Sequence, residues 1–86
     1  MKAAVFDTYV TKKDNTIMHF DIVVKEGTEF DEVQKYGQAY LALKGQEGQP
    51  LTTEECRFCH IEQATQALEV EINTRGYYIV EMEGCH

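Results

Sequence analysis

Two segments near the start of the chain alternate between apolar and polar residues, as half-buried β-strands do. They cover residues 3–10 and 17–24, and the polar stretch 11–16 between them is typical of a turn. Pairing Val10 with Met18 gathers one mostly apolar face, whereas a register shifted by one residue would mix the two faces. We therefore predict an antiparallel hairpin in this register. Its apolar face would carry Ala4, Phe6, Thr8, Val10, Met18, Phe20, Ile22 and Val24.

The opposite face of this hairpin would bring together Asp7, Tyr9, His19 and Asp21. In the predicted register Asp7 lies across from Asp21, and two opposed carboxylates repel each other. Such a pair is tolerated when a cation, a shared proton or a basic side chain lies between the two groups. One hypothesis is a polar pocket in which His19 acts as acid or base beside Asp21 and Tyr9. The alternative is a solvated face on which lysines pair with both aspartates.

An amphipathic helix is predicted over residues 29–44, because apolar residues there recur every three or four positions. Thr28 would cap its N-terminus, with Asp31 at the third helical position. Lys44 and Gly45 would end it. The apolar stripe consists of Phe30, Val33, Tyr36, Tyr40 and Leu43. We expect this stripe to pack into the core rather than to hold a ligand.

The second half of the chain has a more ambiguous pattern. In residues 51–62, Thr52 and Glu55 could open a helix, yet the residues that follow alternate as a strand does. Residues 64–75 are also compatible with either a helix or a strand. Residues 77–82 are nearly all apolar or aromatic, and such a run predicts a strand at the centre of the sheet.

Length and charge restrict the class of protein. The 86 residues make a single domain, 1–86, and the 43% hydrophobic content is typical of a folded globular chain. The formal net charge is -7, from 15 acidic and 8 basic residues, without a basic stripe. Binding to nucleic acid or to an anionic membrane depends on Lys and Arg, so we expect neither. Cations and basic partner surfaces suit this charge better.

A cytoplasmic location is expected from the cysteines and from the first residues. Three cysteines are an odd number, which argues against a closed disulfide framework and favours a compartment that keeps thiols reduced. Asp7 interrupts the first apolar run too early for a signal peptide. No stretch approaches the roughly 18 apolar residues of a membrane span.

The most specific chemical motif is Cys56-Arg57-Phe58-Cys59-His60, with Cys85-His86 at the end of the sequence. A Cys-x-x-Cys pair on a tight turn is half of a zinc knuckle, because both sulfurs can then reach one ion. Two of His60, Cys85 and His86 would complete a zinc or iron site. On a regular strand, residues three apart point to opposite faces, so the site requires a turn or a bulge at positions 56–60.

Three other interpretations of this string remain open. It matches the attachment motif of c-type haem, but the predicted strands and the expected cytoplasmic location make haem a poor fit. A redox dithiol is the second, although Glu54 and Glu55 would raise the pKa of the thiols rather than lower it. In the third, Cys56 and Cys59 fill the core with Phe58 between them, and a hydrogen bond satisfies the adjacent histidine.

The string Glu54-Glu55-Cys56-Arg57-Phe58-Cys59-His60 resembles the signature of an uncharacterised family of small bacterial proteins, described only as a domain of unknown function. The opening Val5-Phe6-Asp7-Thr8-Tyr9-Val10, the segment Met18-His19-Phe20-Asp21 and the ending Gly76-Tyr77-Tyr78 through Met82-Glu83-Gly84-Cys85 resemble that family as well. The resemblance implies strands covered by two helices in the order β-β-α-β-α-β, so residues 64–75 become the second helix. It implies no activity.

The pattern and the resemblance together predict an α+β fold. It would be a two-layer sandwich of a mainly antiparallel four-stranded sheet and two helices. Gly37 is costly within a helix, and it would allow close packing against the sheet or against a second subunit. A homodimer is therefore a further hypothesis.

For function, we expect a binding or interaction domain without enzymatic activity. A metal site at Cys56, Cys59, His60 and Cys85, holding zinc, is one hypothesis within that expectation. The alternative class is a small redox or acid/base enzyme, which would use either the cysteine pair or His19 with its neighbouring aspartate. The sequence indicates no ligand, substrate or partner.

Overall fold

The elements follow the order that the resemblance implies. A computed structural model describes residues 1–85. The elements are β1 (Lys2–Thr11), β2 (Ile17–Lys25), α1 (Phe30–Leu43), β3 (Cys56–Gln63), α2 (Gln66–Arg75) and β4 (Tyr77–Glu83). The four strands form one antiparallel sheet in the order β3-β1-β2-β4. The α+β class, the antiparallel sheet and the element order are thus confirmed. Within this part of the chain, neither helix is long and apolar enough to span a membrane.

The register of the β1–β2 hairpin is the predicted one. Val10 pairs with Met18, Tyr9 with His19, and Asp7 with Asp21. The period-2 alternation favours this register over one shifted by a single residue, because that shift would mix the apolar and polar faces of the two strands.

The sheet lies between the two helices, so the fold has three layers where the sequence predicted two. Helix α1 packs on the face that carries Phe6, Phe20 and Ile22. Helix α2 packs on the other face through Leu68 and Ile72. The second face also carries apolar residues at one end, namely Ala3, Val5 and Val23. These apolar side chains must be shielded from water, and the packing of α2 on them forms the third layer.

Helix α2 covers only part of its face of the sheet. Its core cluster includes Val5 and Val23 but stops before the next residues on the same face. Those residues are Asp7, Tyr9, His19 and Asp21, which are half-buried except for the exposed Tyr9. We call the surface made by these four residues the open half-face.

Strand β4 lies at an edge of the sheet, so its predicted central position is wrong. It pairs with β2 alone among residues 1–85. Its apolar pattern is real, but the side chains of Tyr78, Val80 and Met82 are 37%, 38% and 48% exposed. An apolar run shows that both faces of a strand are suited to burial; it does not show how many neighbouring strands pair with it.

Helix α1 has Lys44 as its C-cap, as predicted, but its N-cap and one residue of its apolar stripe differ from the prediction. Glu29 occupies the N-cap position without a side-chain cap bond, so the predicted capping box of Thr28 and Asp31 does not form. The Thr28 hydroxyl instead donates to the carbonyl oxygen of Lys25 and closes the preceding turn. At the other end Leu43 is 80% exposed and Leu41 is buried in its place.

Residues 51–62 combine the two predicted patterns. Glu55 Oε1 accepts hydrogen bonds from the backbone and hydroxyl of Thr52, as in a capping box, but the segment forms only a turn. Strand β3 follows, and its pairing with β1 shifts register between Val5 and Phe6. Because Val5 pairs with His60 and Phe6 with Phe58, Cys59 is the extra residue of a β-bulge.

Candidate metal centre

Three potential metal ligands meet on the open half-face. Each of Asp7, His19 and Asp21 offers one ligand atom, and these atoms all lie within 4.8 Å of one another. Asp7 comes from β1 and the other two from β2, and the register of the hairpin places them side by side. The hairpin thus brings together the residues that the sequence grouped on this face.

The imidazole of His19 is held from two sides. Its Nε2 lies 2.6 Å from Asp7 Oδ1, within a hydrogen bond. The Tyr9 ring stacks on the imidazole with centroids 4.0 Å apart and an interplanar angle of 10°. A ring fixed by stacking and by a carboxylate loses little further freedom when it binds a ligand.

The carboxyl of Asp21 is the group with a perturbed acidity in this cluster. Partial burial raises the pKa of Asp21 above its usual value, and the negative charge of Asp7 and a hydrogen bond to that residue raise it further. The charges of His19 and His60 act in the opposite direction but are smaller. A cation placed between the two carboxylates would offset the negative charge of Asp7, which contributes to the raised pKa of Asp21.

The expected alternative, lysines paired with both aspartates, is not what the ion pairs show. Asp7 pairs with His19, whereas the lysine ion pairs within residues 1–85 involve glutamates at other sites. Arg57 on β3 pairs with Asp7 in the backbone register, and its side chain is exposed. In the part of the chain that the structure describes, the ion pair made by these two carboxylates is therefore the one from Asp7 to His19 rather than one to a lysine.

Two carboxylates and an imidazole are a ligand set typical of zinc, manganese and iron sites. Ligand atoms bound at about 2.1 Å lie about 3.0–3.4 Å from one another, so side-chain movements of about 1 Å would close this site on an ion. All three ligands come from one face of the sheet, and no helix covers them. The remaining coordination positions would be open to water or to a small ligand.

The cysteine string does not assemble the site predicted for it. Cys56 and Cys85 are buried on the α1 side of the sheet, whereas Cys59 is exposed. Among residues 1–85, no group of three metal-ligating side chains includes any of these cysteines or His60. The bulge falls at Cys59, after the regular alternation that already directs Cys56 and Cys59 to opposite sides of the strand, so it does not bring their sulfurs together. His86 lies outside the described residues.

The two buried cysteines have local hydrogen-bond partners instead. The Thr8 hydroxyl donates to Cys56 Sγ at 3.4 Å, and burial raises the pKa of the Cys56 thiol. Cys85 Sγ donates to the carbonyl oxygen of His19 at 3.4 Å. The structural interpretation holds for Cys56, whereas Phe58 and Cys59, expected in the core with it, are exposed.

Sequence reasoning missed a second polar chain, on the exposed edge of β3. His60 Nδ1 lies 3.2 Å from Cys59 Sγ, and His60 Nε2 lies 3.0 Å from Glu62 Oε1. Neighbouring strand residues normally point to opposite faces, so periodicity could not predict a contact between residues 59 and 60. Only the bulge, which depends on pairing with β1, permits it.

The chain matches the family described as a domain of unknown function (DUF2024) over residues 1–82, and it therefore belongs to that family. Its structure is similar to the NMR structure of protein NE1680 from Nitrosomonas europaea, a target of the Northeast Structural Genomics Consortium, with a TM-score of 0.86. The two sequences are 40% identical, and the match covers 100% of each chain. A comparison with curated proteins gives no match. The predicted resemblance to a family without an assigned activity is confirmed.

Proposed function

Membership of the DUF2024 family brings no activity with it, and from the geometry we propose that this protein is a binding domain for one divalent transition-metal ion. Asp7, His19 and Asp21 would be the protein ligands. The observation that supports this proposal is their convergence within 4.8 Å on the half of the sheet face that α2 leaves open.

The charge of the site favours a cation over the metal-free state. Two opposed carboxylates at partial burial repel each other, and among residues 1–85 their ion pair is the one between Asp7 and His19. A divalent ion would neutralise both carboxylates and accept the imidazole nitrogen as a third ligand. The net charge of -7 would also attract cations from solution.

Zinc is the ion that we propose first, since zinc sites with three protein ligands commonly keep a fourth position for water. We therefore propose the zinc site at the hairpin, and not at the cysteine string where the sequence predicted it. We place the protein in the cytoplasm, where its three free cysteines would stay reduced, and we propose no nucleic-acid partner for so acidic a chain.

For the homodimer hypothesis, we propose the outer edge of β4 as the interface. An exposed apolar edge strand is a template for pairing with another strand, and β4 has no proline, lysine or bulge on its run from Tyr77 to Val80. The opposite edge, β3, is protected by its bulge and by Arg57 and Glu62. We therefore propose pairing of β4 with β4 of a second copy.

The exposed side chains of β4 suit a two-fold pairing within its regular run from Tyr77 to Val80, because the pairing with β2 shifts register at Met82 beyond that run. In such a pairing the exposed side chains of Tyr78 and Val80 from the two copies would meet. The ring of Tyr77, at the start of this run, is 5.7 Å from the guanidinium of Arg75. A groove of about 520 Å³ along this edge would receive the incoming side chains.

The metal proposal is tested by calorimetric titration of Zn²⁺ and of Mn²⁺ into protein stripped with a chelator. We expect one site per chain for at least one of the ions, and at least about tenfold weaker binding for His19→Gln. Asp31→Asn is the matched control, because it removes a carboxylate from the surface of α1, away from the hairpin. Absence of binding, or equal binding by the His19 variant, would refute the proposal.

A further inference from the structure

A second site, independent of the proposed metal centre, lies on the bulge of β3. We propose that Cys59 is a nucleophilic thiol, activated by His60 and Glu62, that exchanges with the disulfides of small thiols. The three side chains form a line of nucleophile, base and orienting carboxylate, which is the arrangement that activates nucleophiles in enzymes.

The bulge is the structural device that creates this line. On an unbroken strand, Cys59 and His60 would point to opposite faces of the sheet. The extra residue in β3 brings Cys59 Sγ to 3.2 Å from His60 Nδ1. Bulges commonly redirect side chains beside functional sites.

The carboxylate of Glu62 selects the tautomer in which His60 can act as a base. An ionised carboxylate only accepts hydrogen bonds, so the Nε2 atom that lies 3.0 Å from it must carry the proton. The neutral imidazole then has its lone pair on Nδ1, the atom that faces the thiol. Asp21, on the same side of the sheet, also interacts electrostatically with His60.

The exchange step balances without any further reactant. His60 Nδ1 takes the proton from the thiol, and the Cys59 thiolate attacks one sulfur of the incoming disulfide. A new S–S bond forms, the old one breaks, and the leaving thiolate takes the proton from the imidazolium. Cys59 is oxidised to a mixed disulfide while one sulfur of the small disulfide is reduced to a thiol.

The burial pattern makes this site a single thiol rather than a dithiol. Cys56 and Cys85 are buried, whereas Cys59 is exposed at a sheet edge that leaves room for the in-line attack of exchange. Since Cys56 cannot reach the surface to resolve the product, the mixed disulfide would persist until a second small thiol attacks it. Transfer between sulfurs also needs no oxyanion hole, unlike acyl transfer.

The test measures the reaction of the full chain with dithiodipyridine, a neutral disulfide whose released thiopyridone absorbs light, in the presence of a chelator. We expect one fast equivalent per chain, absent in Cys59→Ser. Only about 0.3% of an ordinary thiol is ionised at pH 6, so general-base assistance is most visible there. His60→Gln should slow the fast phase at least about tenfold at pH 6. The rates should converge to within about twofold at pH 10, where an ordinary thiol is ionised without help.

Glu62→Gln separates this mechanism from simple electrostatics. Removing a negative charge near a thiol ordinarily speeds its reaction, because the thiolate becomes easier to form. Loss of the orienting carboxylate should slow the reaction instead, whereas Glu54→Gln, the control at an exposed carboxylate outside β3, should not slow it. The proposal is overturned if Glu62→Gln speeds the reaction or if His60→Gln leaves the rate at pH 6 unchanged. Neither result depends on whether the hairpin binds a metal.

Discussion

Asp21 and Asp7 face each other across the hairpin, and burial adds to the effect of their repulsion on Asp21. The same pair therefore has opposite consequences in two states of the protein. Without metal it costs stability, since two partly buried carboxylates oppose each other. With metal it supplies two of the three proposed ligands.

In chelator-treated protein, Asp21→Asn should raise the free energy of unfolding at pH 7 by about 0.2–1 kcal/mol, because it removes a like-charge pair. The amide can also donate a hydrogen bond to Asp7. Urea unfolding measures the change, and Asp31→Asn provides the control for loss of a distant carboxylate. A clear loss of stability in Asp21→Asn would contradict the role assigned to this pair.

The gain in the free energy of unfolding from Asp21→Asn should depend on pH in a defined direction. Because the folded-state pKa of Asp21 is raised above 3.8, the protonated carboxyl favours the folded state. Its contribution to stability is fully present below about pH 3.8 and is lost as the pH rises through the folded-state pKa. The stability difference between the variant and the parent should therefore be smallest near pH 3.5 and grow towards neutrality. A difference that shrinks as the pH rises would contradict the raised pKa.

Helix α1 illustrates how packing can outweigh helix propensity. A Cβ added at Gly37 would lie 2.3 Å from Leu51 Cδ2 and 2.9 Å from Ile22 Cδ1. Propensity alone predicts that Gly37→Ala stabilises a helix by about 1 kcal/mol, whereas overpacking of a core costs about 1–3 kcal/mol. We expect net destabilisation, measured by thermal or urea unfolding. The exposed Ala39→Gly calibrates the propensity term, and stabilisation by Gly37→Ala would contradict the packing account.

At the scale of elements, the sequence predicts those structural features that depend on local periodicity. The register of the hairpin follows from alternation in one short segment, so Asp7 and Asp21 could be paired correctly. The bulge in β3 depends on a partner strand more than fifty residues away, and no local period reports it. For that reason the contact between Cys59 and His60 was not predictable, and the cysteine motif suggested a metal site that residues 1–85 do not assemble.

At the scale of the whole molecule, the apolar strand β4 lies at an edge, where the sequence placed it at the centre. Pairing with a second copy would give β4 a neighbour on both sides and would cover its exposed apolar side chains. The number of layers could not be predicted from local sequence patterns either, because only the tertiary structure shows that α2 packs on the second face of the sheet.

The homodimer is tested by comparing two lysine substitutions at edge positions of matched exposure. Val80 on β4 is 38% exposed and Ile61 on β3 is 39% exposed. Charged residues on an edge strand block edge-to-edge pairing, so Val80→Lys should give a monomer in sedimentation velocity runs at concentrations where the parent is a dimer. Ile61→Lys should leave the dimer intact. A parent chain that is monomeric up to millimolar concentration would contradict the pairing.

The metal centre is tested most directly by the ring nitrogen resonances of the histidines during a Zn²⁺ titration of chelator-stripped, ¹⁵N-labelled protein. The account predicts that one equivalent of zinc shifts Nε2 of His19, leaves the ring of His60 unchanged, and loses this effect in Asp21→Asn. A shift at His60 without one at His19, or no shift at either ring, would contradict it.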